Sequence, residues 1–540
     1  MAQFCAFCGA QMQDESGLCH ACGKSQVTGT NQSGAGAQAV MAPAVEKTSA
    51  QAALAVAGAP ATPPAAQKPA MSLWIALAPV IIAIIIVLIP VPAGLKFSAW
   101  AFFAVFCGVI AGTIIEPLPA AAVGFVGVGV ATVLGLVDPR PGPSVAWALS
   151  GFSNGTVWLI FAAFMFSTGY EKTGLGRRIA LGLVKTLGSK TLGLGYAIML
   201  ADLVLAPATP SNTARSGGTI FPIIRNIPPL YGSYPGETAR KLGSYVMWVA
   251  LCATSVTAAT FATGLATNAF SLEIVRKLAK VEITWTQWFI GFLPMAVILL
   301  SVLPYLIYKI YPPEIKSSTE VPVWAGKQLA EMGKISWREI GLALIVGCAL
   351  IFWIFGTKIV DTTAVALMAT GLMVVCRIVT WDDILSNKAA WSVLVWFGTL
   401  VSLADGLNRV GFVGWFAKLV ASHLTGLSPV MVMAALVALY YVVHYMFANL
   451  TSQAVGVLPM LLVAGMSIPG MPVRSFAMLL CFSLALQGVI TPYACGAAPI
   501  YYASGYISRK DFWLQGAIFG AIFLGTLLAV GIPYLSYINR

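Results

Sequence analysis

Residues 206–223 read APATPSNTARSGGTIFPI, and residues 445–461 read YMFANLTSQAVGVLPML. Each is a polar, proline-bearing interruption within a longer apolar stretch, and the pair decides the fold. Pro207 and Pro210 stop a helix, because proline lacks the N–H and its ring clashes with the preceding turn. Ser211 can cap the helix that follows. In lipid a broken backbone has no water to satisfy its amides, so it persists only where it is buried in protein or lines a wet cavity. The enclosing stretches, 190–226 and 428–465, are therefore predicted to be re-entrant hairpins.

The surroundings agree. Of 540 residues only 9% are charged and 59% are apolar, the balance of a chain whose solvent is lipid. Apolar runs of the length needed to cross about 30 Å of hydrocarbon lie near 72–92, 97–115, 119–137, 153–170, 243–270, 285–308, 339–356, 361–379, 391–408, 473–503 and 512–537. These predict an all-α polytopic membrane protein with eleven transmembrane helices and two hairpins. The formal charge of +12 sits mostly in the connections, without a basic stripe or interleaved aromatic residues, so nucleic acid is excluded as a partner. Lys172, Arg177, Arg178, Lys185, Lys190, Arg225, Lys327, Lys334 and Arg338 fall on one side of the predicted topology, and fewer basic residues fall on the other. The positive-inside rule then places the N-terminus in the cytoplasm of a bacterial inner membrane. No secretory signal is visible.

The N-terminus has a different chemistry. Residues 1–23 carry FCAFCGA and LCHACGK, two C-x-x-C-G knuckles whose Cys5, Cys8, Cys19 and Cys22 have the spacing of a small zinc ribbon. The alternative, a pair of disulfides, requires an oxidising compartment. Residues 24–70 are rich in Ala, Gln, Gly, Pro, Ser and Thr, and cannot bury enough surface to order themselves. They read as a disordered tether. The ribbon is expected to serve a cytoplasmic protein partner rather than catalysis, and no organic cofactor is implied.

The membrane part repeats itself. At an offset of 237 residues Gly169 meets Gly406, Gly174 meets Gly411, Asn212 meets Asn449 and Pro222 meets Pro459. The organisation is read as a first span plus first repeat over 71–308, a cytoplasmic loop over 309–338 and a second repeat over 339–540. Five spans separate equivalent positions, and an odd number inverts the second copy. Inverted repeats whose broken elements meet at mid-membrane are the architecture of secondary transporters.

At such a junction helix N-termini offer free N–H groups and partial positive charge to a carboxylate. Ser211, Asn212 and Thr213 supply neutral donors at the first tip, with Arg215 the full positive charge nearby. Asn449, Thr451 and Ser452 repeat that chemistry at the second. Two further irregular stretches, one containing Gly264 and Asn268 and the other Thr491 and Pro492, complete the candidate substrate site. Asp202 is a costly acid within the first hairpin; coupling to an ion and capping a helix are both open. His444 reads as a packed, hydrogen-bonded side chain.

SNTARSGG, HYMFANLTSQ and TPYACGAAPIYYASGY resemble the divalent anion/sodium symporter family, within it the citrate carrier and 2-oxoglutarate/malate translocator branch, over about residues 72–540. The resemblance implies a homodimer working by an elevator motion, with hairpin-tip motifs holding substrate carboxylates. Those motifs fall here on Ser211, Asn212 and Thr213, and on Asn449, Leu450 and Thr451. Aligning the two triplets requires an offset of 238. Leu450 stands where the sodium-coupled members have an Asn and cannot donate a hydrogen bond. This favours exchange of di- or tricarboxylates (citrate, succinate, malate, 2-oxoglutarate) over sodium-driven uptake. Sodium- or proton-coupled symport is one alternative. A carboxylate sensor signalling through the ribbon is another, from a different class. An enzyme is excluded by the lack of H-E-x-x-H or of a nucleophile beside a base.

Overall fold

The computed structural model describes residues 73–356, 358–421 and 428–539. The predicted ribbon and tether, with Cys5, Cys8, Cys19 and Cys22, lie outside them. The described chain is helical throughout; its only β pairing is the isolated Lys190–Ser317 bridge. Eight of its helices are long and apolar enough to cross a membrane. Side chains set many helix starts. Asn154, Asp361 and Asn387 cap the helices that follow them, and Thr284–Gln287 and Ser336–Glu339 form capping boxes.

The repeat is visible in the order of elements. Helices Phe97–Ile115, Ala120–Val133, Pro141–Leu149, Gly155–Thr173 and Leu175–Leu187 recur as Trp337–Phe355, Thr362–Val375, Trp381–Ser386, Lys388–Arg409 and Phe412–Ala421. The hairpin arm Thr191–Leu205 and its 3-10 turn Ala206–Ala208 recur as Pro429–Val443 and His444–Met446. These turns stand 238 residues apart, the offset that also aligns the two triplets. Packing is reciprocal as well: Gly155–Thr173 lies on Thr362–Val375, and Lys388–Arg409 lies on Ala120–Val133. At one crossing the Ser402 hydroxyl donates to the Ala148 carbonyl at 2.9 Å and accepts from Gly151 N–H at 3.0 Å. A Cβ on Gly151 would fall 1.8 Å from the Gly398 carbonyl, so this approach requires glycine.

A second group of helices carries the hairpins. At its centre Gly243–Thr260 is buried along its whole length and packs against Thr191–Leu205, Trp285–Ile310 and Val473–Leu486. Its Thr254 and Thr257 point polar groups into this interior. Two of the expected spans are broken. The 243–270 run stops at Thr260, passes through the 3-10 turn Ala262–Gly264 and resumes as Ala266–Ala279. The 473–503 run stops at Val489 and resumes at Ala498. The 309–338 connection contains the helix Glu320–Glu331, packed on Leu175–Leu187. Beside that helix the chain straps the base of the first hairpin, where Thr191 N–H donates to the Lys316 carbonyl at 3.1 Å and Ser318 N–H to that of Ser189 at 3.0 Å.

Candidate substrate site

The first hairpin breaks where the prolines predict. After Ala206–Ala208 the backbone extends at Thr209 and re-forms as a wide π-helical turn, Thr213–Ile220. This turn aims Arg215 back into the protein rather than outward. Its guanidinium is fully buried, with Nε 3.0 Å from Asp202 Oδ2. Nη1 donates to the carbonyls of Thr209 at 2.7 Å and Gly264 at 2.9 Å, and Nη2 to the hydroxyls of Thr254 at 3.2 Å and Thr257 at 3.4 Å. Thr257 Oγ1 donates in turn to Asp202 Oδ2. Burying two charges is tolerable only with such additional hydrogen bonds. All three nitrogens of Arg215 are thus engaged by protein acceptors.

The tip is tied to the unwound segment beside it. Ala266 N–H donates to the Pro210 carbonyl at 2.7 Å, and Thr263 Oγ1 to that of Pro207 at 2.5 Å. Ser211 Oγ accepts from Ala214 N–H at 3.2 Å.

The second tip has the same shape with different chemistry. The Asn449 side chain accepts from Ser452 N–H at 2.8 Å and caps Leu450–Gly456. Tyr440 and Gln453 occupy the positions 238 residues after Asp202 and Arg215. Gln453 Nε2 donates to the Tyr440 carbonyl at 2.5 Å and accepts, through Oε1, from Gln487 Nε2 at 2.5 Å. Neutral amides therefore stand where the first half has an ion pair. His444 Nε2 lies 2.9 Å from the Ala494 carbonyl, and Leu450 is buried.

Neighbouring residues of each unwound segment touch both tips. Ala266 bonds the first tip, while Thr267 Oγ1 lies 3.2 Å from Thr451 Oγ1 of the second. Ala494 meets His444, and Cys495 lies beside the Asn212 side chain. A Cβ on Gly496 would come 1.9 Å from Thr213 Oγ1, so the first tip rests against bare backbone. Ser216 Oγ and Tyr501 OH, 2.7 Å apart, fasten the same contact further back.

Four segments thus meet, and with them Ser211, Asn212, Thr213, Asn449, Thr451 and Ser452. Thr213 is exposed, Ser211, Asn449 and Thr451 are half-buried, and Asn212 and Ser452 are buried. Thr491 is buried with its hydroxyl lacking a protein partner, and Pro492 is half-buried. Arg215, Gly264 and Asn268 are spent internally. The Gly264 carbonyl holds Arg215, and Asn268 Nδ2 donates to the carbonyls of Ala258 at 2.7 Å and Phe261 at 3.1 Å, closing the end of Gly243–Thr260. Sequence reasoning did not select Thr267, Cys495 or Gly496, although all three lie in the stretches it marked as irregular.

A cavity of about 420 Å³ adjoins the first hairpin, lined by Gly218, Thr219, Pro222 and Asn226 on one wall and by Arg177 and Gln328 on another. Among the described residues no group of three or more His, Cys, Asp or Glu could hold a metal ion.

Two broken hairpins meeting two unwound helices, in a chain that repeats itself, define a membrane transporter of the secondary class. Residues 70–538 match the family described as the sodium:sulfate symporter transmembrane region, and the chain belongs to that family of transporters; it is not an enzyme. It is 47% identical over 485 residues to L-tartrate/succinate antiporters of Escherichia coli (strain K12) and Shigella sonnei (strain Ss046), covering 87% of this chain and 99% of each relative. A third, from Shigella flexneri, is 46% identical over the same length. The crystal structure of the Alcanivorax borkumensis YdaH transporter matches 74% of this chain and 86% of that one at 14% identity and a TM-score of 0.43, a likeness too slight to bear on the fold described above.

Proposed function

We propose that this protein exchanges small dicarboxylates, of the L-tartrate and succinate class, across the bacterial inner membrane without a sodium ion. The observation that carries this reading is Arg215. Its guanidinium sits between the carbonyls of Thr209 and Gly264, with the Asp202 carboxylate beside it. Oxygens converging between a helix break and an unwound strand are what a hard monovalent cation seeks in such a transporter. Here a tethered cation takes that place, and no co-transported ion is needed to balance it. In the second half Gln453 and Gln487 satisfy one another and Leu450 offers no ligand, so that half also has no call for sodium. The names of three relatives, L-tartrate/succinate antiporters, support the substrate class.

In this reading the hydroxyls and amides of Ser211, Asn212, Thr213, Asn449, Thr451 and Ser452 hold the two carboxylates, and Thr491 adds a hydroxyl. Neutral donors bind a dianion firmly enough for selection and loosely enough for release. The hairpin-bearing helices move as an elevator against the reciprocal bundle of a homodimer, the second repeat inverted relative to the first, and the N-terminus is cytoplasmic. Citrate, malate and 2-oxoglutarate remain within the substrate class, and zinc at Cys5, Cys8, Cys19 and Cys22 would serve a partner rather than transport. Labelled succinate should enter proteoliposomes preloaded with L-tartrate or succinate, and should not enter empty ones. Equal uptake into empty vesicles would overturn exchange.

A further inference from the structure

We propose that Glu273 is a positioning residue that holds the transporter in one of its two access states. The proposal rests on the exchange reading above. Glu273 is 2% exposed, yet its carboxylate is bonded on both oxygens. Arg276 grips it from the next turn, with Nε 2.9 Å from Oε2 and Nη2 2.7 Å from Oε1. Asn154 Nδ2 donates to Oε1 at 2.8 Å, and Thr156 Oγ1 lies 3.4 Å from Oε2. These last two partners are on a different set of helices.

Asn154 has two roles. Its side-chain oxygen caps Gly155–Thr173 by accepting from Thr156 N–H at 2.9 Å, and its amide nitrogen meets Glu273. The carboxylate therefore faces the positive end of a 19-residue helix. One turn further along its own helix, Lys277 Nζ donates to the Val401 carbonyl at 3.2 Å, on the other helix of the reciprocal bundle. Both contacts join Ala266–Ala279 to that bundle, and both must part if the hairpin-bearing helices travel against it. Asn154, Thr156, Glu273 and Arg276 also line a cavity of about 470 Å³, so the junction borders open space rather than packed core.

The same helix links this junction to the substrate site. Its start bonds both hairpin tips through Ala266 and Thr267. Glu273 follows Thr267 by six residues, about 9 Å along the axis. A rigid element of that length transmits movement of the tips directly to the carboxylate. The second repeat has no equivalent, because residues 498–508, APIYYASGYIS, carry no charged side chain. A contact present in one repeat only favours one access state over the other.

Hydrogen bonds to a charged group shift an equilibrium by roughly ten- to hundredfold. Apparent affinity at each face scales with the fraction of protein open to that face. The test compares the half-saturation for labelled succinate at both faces, in right-side-out and inverted vesicles, for the full-length wild type, Glu273→Ala, Glu273→Gln and Glu273→Asp. The expected result for Glu273→Ala is a severalfold tighter half-saturation at one face and a looser one at the other. Glu273→Gln should lie between, and Glu273→Asp should return towards the wild type. A residue needed only for folding would move both faces in the same direction, and that result, or no shift at either face, overturns the proposal. If the alanine variant is not recovered folded, the isosteric Glu273→Gln decides. A wild type that fails to exchange at all would remove the reading beneath the proposal, an outcome distinct from an unshifted variant of an exchanging wild type.

Discussion

Replacing Arg215 by methionine should be among the most damaging single substitutions in this protein, and the structure indicates by how much. Arg215 and Asp202 are 0% and 1% exposed, so solvent screening gives no relief. Removing one member of a buried, hydrogen-bonded ion pair costs about 3–5 kcal/mol, because the remaining charge is left uncompensated. The carbonyls of Thr209 and Gly264 lose a donor at the same time. Replacing both partners is much milder, since an apolar pair of similar volume often breaks even. Asp202→Leu/Arg215→Met should therefore regain most of the lost stability. It should not regain exchange, because nothing would then tie the hairpin break to the unwound segment beside it. A shorter side chain gives the sharper test. Arg215→Ala leaves Asp202 Oδ2 and two carbonyl oxygens converging on an emptied position. Sodium at about a hundred times its dissociation constant would stabilise the folded state by about 2.7 kcal/mol. The assay is thermal unfolding in detergent with sodium, potassium or choline chloride at equal ionic strength. The wild type should be indifferent to the cation, and Arg215→Ala should be stabilised by sodium in particular. A single Arg215→Met variant as stable as the double variant would refute the reasoning.

Gly496→Ala places a methyl 1.9 Å from Thr213 Oγ1 and must displace the first tip, so succinate exchange should fall at least tenfold while the melting temperature changes little. Asp383 lies near the membrane edge, where a hydrogen bond from Lys172 holds its carboxyl below the usual carboxylate range. The stability this contributes is full above pH ~4 and disappears as the pH falls through the lowered value. Because Lys172 is exposed, the difference between wild type and Lys172→Met should be no more than about 1 kcal/mol, seen in unfolding at neutral pH and absent in strong acid. Deleting residues 1–70, or stripping zinc from the cysteine knuckles with a chelator, should leave exchange rates in proteoliposomes unchanged. Loss of exchange in the shortened chain would favour a sensing role for the ribbon.

The breaks were legible because proline and glycine act locally. Pro207 and Pro210 end the first arm where expected, and Pro492 marks the second unwound segment. The repeat was legible because both hairpins keep the spacing between arm, turn and tip. The direction of Arg215 was not. Its sequence neighbours place a positive charge at the tip, but the π-helical turn that aims it inward, and the Thr254 and Thr257 hydroxyls that receive it, are set by a helix some forty residues later. The same holds for Gly264 and Asn268, chosen as substrate ligands from the irregular stretch they occupy; each satisfies its own backbone surroundings. Amphipathic elements were also missed. Leu175–Leu187 carries Arg177, Arg178 and Lys185 on one face, and such a helix has no long apolar run to reveal it. Residues on the far side of a contact, Thr267 and Gly496 among them, become visible only once the four segments are brought together.

The most direct measurement follows both substrates at once. Proteoliposomes loaded with carbon-14 L-tartrate are placed in tritiated succinate, and efflux and influx are counted with sodium present on both sides, on one side or absent. The account predicts that tartrate leaves and succinate enters mole for mole, at rates that do not depend on sodium. Influx without matching efflux, driven by a sodium gradient, would contradict it and would mean that a cation site operates despite Arg215.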